Sequence, residues 1–170
     1  QRLPMKVAII VSRHIGPYLE AVEGLQSVLS DHSDIETKVF SLEKLDAEEQ
    51  RQLFGGKEAK KISAFIAVGP AAASTVWKAT EKDGIPTLYL MVLNPGKVMG
   101  GKRTNCGISL NIPIQTQVEM IRQGLPGTKR LGLLYDPEYN ADFFRGAESA
   151  SSSLALEVLP LRVSSKKEIP

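Results

Sequence analysis

Residues 5–18 read MKVAIIVSRHIGPY. The run 5–11 is nearly all apolar and rich in β-branched residues, as expected of a strand buried on both faces of a sheet. Gly16 and Pro17 then stop the strand, and the pattern behind them has a helical period. Leu19, Val22, Leu25, Val28 and Leu29 fall on one face of a helix predicted from 17 to about 30. Proline is favourable in a first helical turn, where its missing N–H would have no intrahelical partner anyway. A buried strand running straight into a helix is the repeating unit of a parallel sheet.

The same alternation continues outward. Strands are predicted at 35–40, 64–68, 87–92, 106–110, 130–135 and 156–163, and helices at 47–53, 71–80, 114–124 and 141–152. Asp46 is placed to cap the second helix, and Gly69-Pro70 turns the third strand into the third. Ser164 and Ser165 read as the cap of a further helical turn. Short connections between alternating strands and helices imply an α/β fold, a parallel sheet with helices on both faces. In such sheets ligands bind beyond the carboxyl ends of the strands. Topology therefore selects Ser12-Arg13-His14, Gly69-Pro70-Ala71-Ala72, Leu93-Asn94-Pro95 and Asp136-Pro137.

Composition excludes several classes. The 170 residues are 42% hydrophobic and 24% charged, and a net charge of +2 with scattered basic residues gives no nucleic-acid footprint. The single cysteine, Cys106, excludes an internal disulfide or a cysteine-only zinc site, and its predicted strand makes it a small buried hydrophobe. No apolar run reaches the ~18 residues of a membrane span.

Residues 94–104, NPGKVMGGKRT, imitate a phosphate-binding loop through Gly96, Gly101 and Lys102. The metal-binding hydroxyl that should follow the lysine is replaced by Arg103, and a strand rather than a helix is expected after it. The stretch reads as a mobile connection. The first strand-to-helix turn lacks G-x-G-x-x-G, and no G-x-S-x-G elbow occurs. His14 and His32 lie apart, with no carboxylate in the turn of His14 to orient it. No acid, base and nucleophile set emerges, so an enzyme is not expected, nor is a metal or cofactor.

Several stretches, taken together, resemble a known family. They are VAIIVSRHIGPYLEAVEGLQSVL, AFIAVGPAAASTVWKAT, IPTLYLMVLNP, GISLNIPIQTQVEMI and GLPGTKRLGLLYDPEYN. In register and order they are similar to ABC-transporter substrate-binding proteins of the type I periplasmic-binding fold, nearest to the branch of tryptophan/tyrosine or uncharacterised ABC substrate-binding proteins. The resemblance implies two α/β lobes closing on a small molecule, delivered to a membrane permease. It also implies a periplasmic or extracytoplasmic location, reached with a cleaved or lipidated leader. The alternative is a ligand-sensing module of a signalling system on the same fold. Residues 1–112 are expected to form the first lobe and 113–170 the start of a second. Two lobes need about 300 residues at about 150 per domain, so the second is expected to be incomplete. Handled alone, the chain is then expected to self-associate through its last strand.

The candidate ligand residues each carry a plainer reading. Small residues at Gly69, Pro70, Ala71 and Ala72 leave helix N–H groups open to a ligand carboxylate, or merely allow close packing. Ser12 and Arg13 flank the first turn, and Tyr18 either stacks on a ligand ring or fastens its helix to the sheet. Asn94 offers an amide at a strand end, or forms an ordinary Asn-Pro turn. The resemblance adds Asp136 and Asn140 as partners for an α-ammonium group, although DPEYN also forms turns unaided. Trp77, a full turn into its helix, reads as core. The expected ligand is amino acid-like or carboxylate-bearing, with aromatic amino acids among the candidates.

Overall fold

The computed structural model describes residues 4–100, 106–165 and 168. The chain divides into two compact units, Gln1–Asn111 and Ile112–Pro170.

The first unit is built on a five-stranded parallel sheet. Its strands are β1 (Met5–Val11), β2 (Ile35–Ser41), β3 (Ala64–Val68), β4 (Thr87–Val92) and β5 (Cys106–Ser109), in the order β2-β1-β3-β4-β5. Val7 through Val11 are buried, in keeping with the apolar run that set the reading. The pleat sends alternate residues to opposite faces. Val7, Ile9 and Val11 meet helix α1 (Gly16–Leu29) through Val22, with Ile66 and Val68 beside them. Ala8, Ile10, Phe65 and Ala67 meet the other layer, formed by α2 (Ala47–Gly55), α3 (Pro70–Thr80) and α4 (Pro95–Met99). The expected doubly covered parallel sheet is thus present, but its cover is uneven. Opposite α3, Leu88 and Ile108 lie on the face shared with α1, and Ile108 is 70% exposed.

Local chemistry explains where these helices begin. Asp46 accepts a hydrogen bond from the Glu49 N–H at 2.8 Å, and the Glu49 carboxylate accepts from the Asp46 N–H at 2.9 Å. This reciprocal pair satisfies two donors that would otherwise lack partners. Proline stands in the first turn of α1, α3 and α4. Trp77 is core, as read, and meets Tyr89 edge-on with ring centroids 6.3 Å apart. Aromatic pairs of this kind add about 0.5–1.5 kcal/mol beyond area burial.

Two expectations are corrected here. The stretch expected as a mobile connection after β4 holds helix α4, whose Val98 and Met99 pack on the core; residues 101–105 lie outside the described residues. Cys106 is exposed, because β5 is the last strand of the sheet and has a neighbour on one side only.

The second unit contains α5 (Ile114–Gly124), β6 (Arg130–Tyr135), α6 (Ala141–Ser152) and β7 (Glu157–Arg162). Its two strands are parallel, in a register from Arg130 opposite Glu157 to Tyr135 opposite Arg162. Val118, Ala150 and Leu156 form a small core, and Tyr135 stacks on Phe144 at 4.5 Å. The expected cap at residues 164–168 is partly visible: the Glu168 carboxylate accepts from the Ser164 N–H at 3.0 Å. Among the described residues, no helix is long and apolar enough to cross a membrane.

Candidate functional site

The order β2-β1-β3 means that the chain leaves β1 in one direction and returns past it to β3. At such a reversal the two strand-to-helix turns diverge, and a crevice opens at the carboxyl ends. Here the reversal falls between Val11 and Val68, which are register partners. Backbone bonds hold the two turns down: the Ser12 N–H donates to the Val68 carbonyl, and the Gly69 N–H to the Leu90 carbonyl, each at 2.9 Å.

Four candidate residues meet at this point. The buried Ser12 hydroxyl accepts a 2.8 Å hydrogen bond from the Ala72 N–H, in the first turn of α3. Gly69 has φ +89°, a conformation that side chains other than glycine rarely adopt. A Cβ there would stand 2.6 Å from the Ser12 Oγ and 2.8 Å from Cε2 and Cζ of Tyr18. Gly69 therefore answers two constraints at once, its backbone angle and the ring lying over it. Tyr18, in the first turn of α1, is half-buried and packs against the core cluster between α1 and the sheet.

The expectation that the first N–H groups of α3 stand bare is corrected at Ala72, whose N–H is taken by Ser12. Pro70 has no N–H to offer. Pro70 and Ala71 are exposed, whereas Ala72 is fully buried. Arg13 and His14 are exposed on the turn after β1, and the His14 backbone N–H donates to the Glu43 carboxylate at 2.8 Å. That carboxylate comes from beyond β2 and meets the backbone of His14 rather than its imidazole.

A second polar group lies at the ends of β4 and β5. The β4 ladder shifts register between Leu90 and Val92, and Met91 takes φ 56°. Asn94 also has positive φ, at 50°. Its backbone N–H donates to the Asn111 Oδ1 at 2.7 Å, and its own Oδ1 accepts from the Asn111 Nδ2 at 2.7 Å. Ser109 donates to the same Asn111 oxygen at 2.6 Å. The Asn94 amide oxygen is therefore engaged in joining two strand ends. Ser109 and Asn111 were not singled out from the sequence, although short polar side chains two apart after a strand often bond to nearby backbone.

Asp136 and Asn140 belong to the second unit. The Asp136 side chain accepts from the Glu138 N–H at 2.8 Å, and its carbonyl accepts from the Asn140 N–H at 2.8 Å. Asn140 precedes α6 without a side-chain cap bond. Among the described residues, no group of three or more His, Cys, Asp or Glu side chains is placed to hold a metal ion.

No family model matches the chain, and none of the curated proteins does. Solved structures do. A ligand-free, open substrate-binding protein with adhesive properties from Clostridium difficile matches with a TM-score of 0.73 at 18% identity, over 97% of this chain and 59% of that one. An ABC domain from Streptococcus pneumonia, solved in complex with L-Trp, matches at 0.59 and 20% identity, over 98% of this chain and 59% of that one. A periplasmic sugar-binding protein of an ABC sugar transporter from Legionella pneumophila matches at 0.53 and 15% identity, over 94% of this chain and 61% of that one. The fold is therefore that of the type I periplasmic-binding proteins. The chain spans about three fifths of their length.

Proposed function

We propose that this chain is the solute-binding component of an ABC importer, working outside the cytoplasmic membrane and passing a small ligand to a permease. The observation that carries the reading is the meeting of Ser12, Tyr18, Gly69 and the start of α3 at the strand reversal. A neighbour of the same fold was solved with L-Trp, which supports an amino acid-like or carboxylate-bearing ligand. The chemistry of the turn agrees. The Ser12 oxygen accepts from Ala72, which leaves the hydroxyl proton to donate to an anion. The positive end of the α3 dipole lies beside it, the Tyr18 ring supplies an apolar surface, and Arg13 supplies a nearby cation. Asp136 and Asn140 are the second unit's candidates for an α-ammonium group.

Calorimetry of the natural gene product carrying this chain, against the amino acids and short carboxylic acids, tests the proposal. Binding of one of them is expected, and Ala71→Asp should weaken it about tenfold, or ~1.4 kcal/mol. The same substitution should leave the fold as stable or slightly more so, because an acidic residue suits a helix N-terminus. Binding of nucleotides instead, abolished by Lys102→Ala, would overturn the proposal.

A further inference from the structure

A cavity of about 420 Å³ lies on the first unit, away from the strand reversal. It runs along the edge strand β2, between the sheet and α2. Phe40, Leu45, Leu53 and Ile62 line it, over a floor that includes Ala8. Its size falls in the range of small-molecule pockets, roughly 300–1,000 Å³. Lys6 stands in its wall, six positions before Ser12 on an extended strand, so that end of the cavity lies roughly 20 Å from the candidate site, while Phe40 at the nearer end lies opposite Ile10.

The charges of its rim are unequally committed. Glu49 closes the capping box with Asp46, and Glu48 pairs with Arg51 at 3.0 Å. Glu58 pairs with Lys61 at 2.6 Å, and Glu36 with Lys6 at 3.8 Å. Lys38 makes no ion pair among the described residues and rests over the Phe40 ring, 5.1 Å from its centroid. Each rim carboxylate thus has a partner, a cation for Glu36, Glu48 and Glu58 and the Asp46 N–H for Glu49, while the exposed Lys38 ammonium is left without an ion pair among the described residues. The Glu58 carboxyl is held below its ordinary value by Lys61 first, with smaller contributions from Lys6 and Lys38, so these three cations act on one place.

We propose that this cavity is a second ligand site, separate from the candidate solute site, for small amphipathic organic anions. The apolar body of the ligand lies on Phe40, Leu45, Leu53 and Ile62, and its carboxylate is taken by Lys38. A cation of the same shape would meet the unpaired ammonium instead, so the site discriminates by charge sign. A ligand of about ten heavy atoms is expected to bind with a dissociation constant on the order of 1 mM or tighter.

The test is an amide NMR titration with phenylacetate, and with benzylamine as its cationic counterpart. Phenylacetate should shift the signals of Ala8, Phe40, Leu45 and Leu53 with one dissociation constant. Lys38→Glu, an exposed change that the fold should tolerate, is expected to weaken that binding roughly tenfold, and Lys38→Gln by less. Benzylamine should bind more weakly than phenylacetate. The proposal falls if benzylamine binds as well as phenylacetate, if Lys38→Glu leaves the affinity unchanged, or if the shifts gather only around Ser12, Gly69 and Ala72. Those last shifts would belong to the solute site, so the two proposals fail separately.

Discussion

Two strand-to-helix turns, β3 to α3 and β6 to α6, serve the same purpose in the two units and are held in different ways. The turn at Gly69 is fixed from outside itself. Ser12 comes from the turn that follows β1, Tyr18 from α1, and the Leu90 carbonyl from β4. The turn at Asp136 is fixed from within, by its own side chain on Glu138 and its own carbonyl on Asn140. A turn locked by three neighbouring elements holds a defined surface, whereas a self-bonded turn needs only its own sequence. Substitutions should therefore cost far more at the first than at the second.

Gly69→Val is expected to have the largest effect. It places a branched side chain at φ +89°, and its Cβ meets Ser12 and Tyr18. Strain and overpacking together should destabilise the first unit by about 3 kcal/mol or more, read as a lower urea midpoint. A loss no greater than that at the second turn would erase the contrast.

Ser12→Ala comes next. It leaves the buried Ala72 N–H without its acceptor, which should cost about 1–3 kcal/mol in the same measurement. A neutral outcome would mean that another group reaches the start of α3. Asp136→Ala removes one exposed side-chain bond from a turn that keeps its backbone bonds, and should cost about 0.5–1 kcal/mol.

The smallest effect belongs to a pair in neither turn. Lys61 holds the Glu58 carboxyl below its ordinary value of 4.5, so this group stabilises the folded state above that pH. The contribution is lost as pH falls through the folded value. The stability gap between the native chain and Glu58→Gln should thus be small and constant at neutral pH, and should close in acid. A gap that widens in acid would reverse the sign assigned to the pair.

The contrast also marks where sequence reading succeeded. Asp136 in DPEYN was legible as a turn because its partners lie within four residues. The bounds of β3, β4, β6, α5 and α6 were legible too, since apolar period and Gly or Pro punctuation are local signals. Helix α4 was missed because Pro95–Met99 is too short to show a period, and its Val98 and Met99 are held by packing. Cys106 was misplaced because strand pattern does not reveal which strand stands at a sheet edge.

The sequence by itself determined the alternation of strands and helices, and with it a parallel sheet whose carboxyl edge bears the candidate residues. Only the tertiary structure decided which of those residues meet. It joined Ser12 to Ala72 across 60 positions, laid Tyr18 over Gly69, and tied Asn94 to Asn111 across 17. The physical reason is range: backbone preference and amphipathic period act over a few neighbours. A hydrogen bond or close approach between distant turns exists only once strand order has set them side by side.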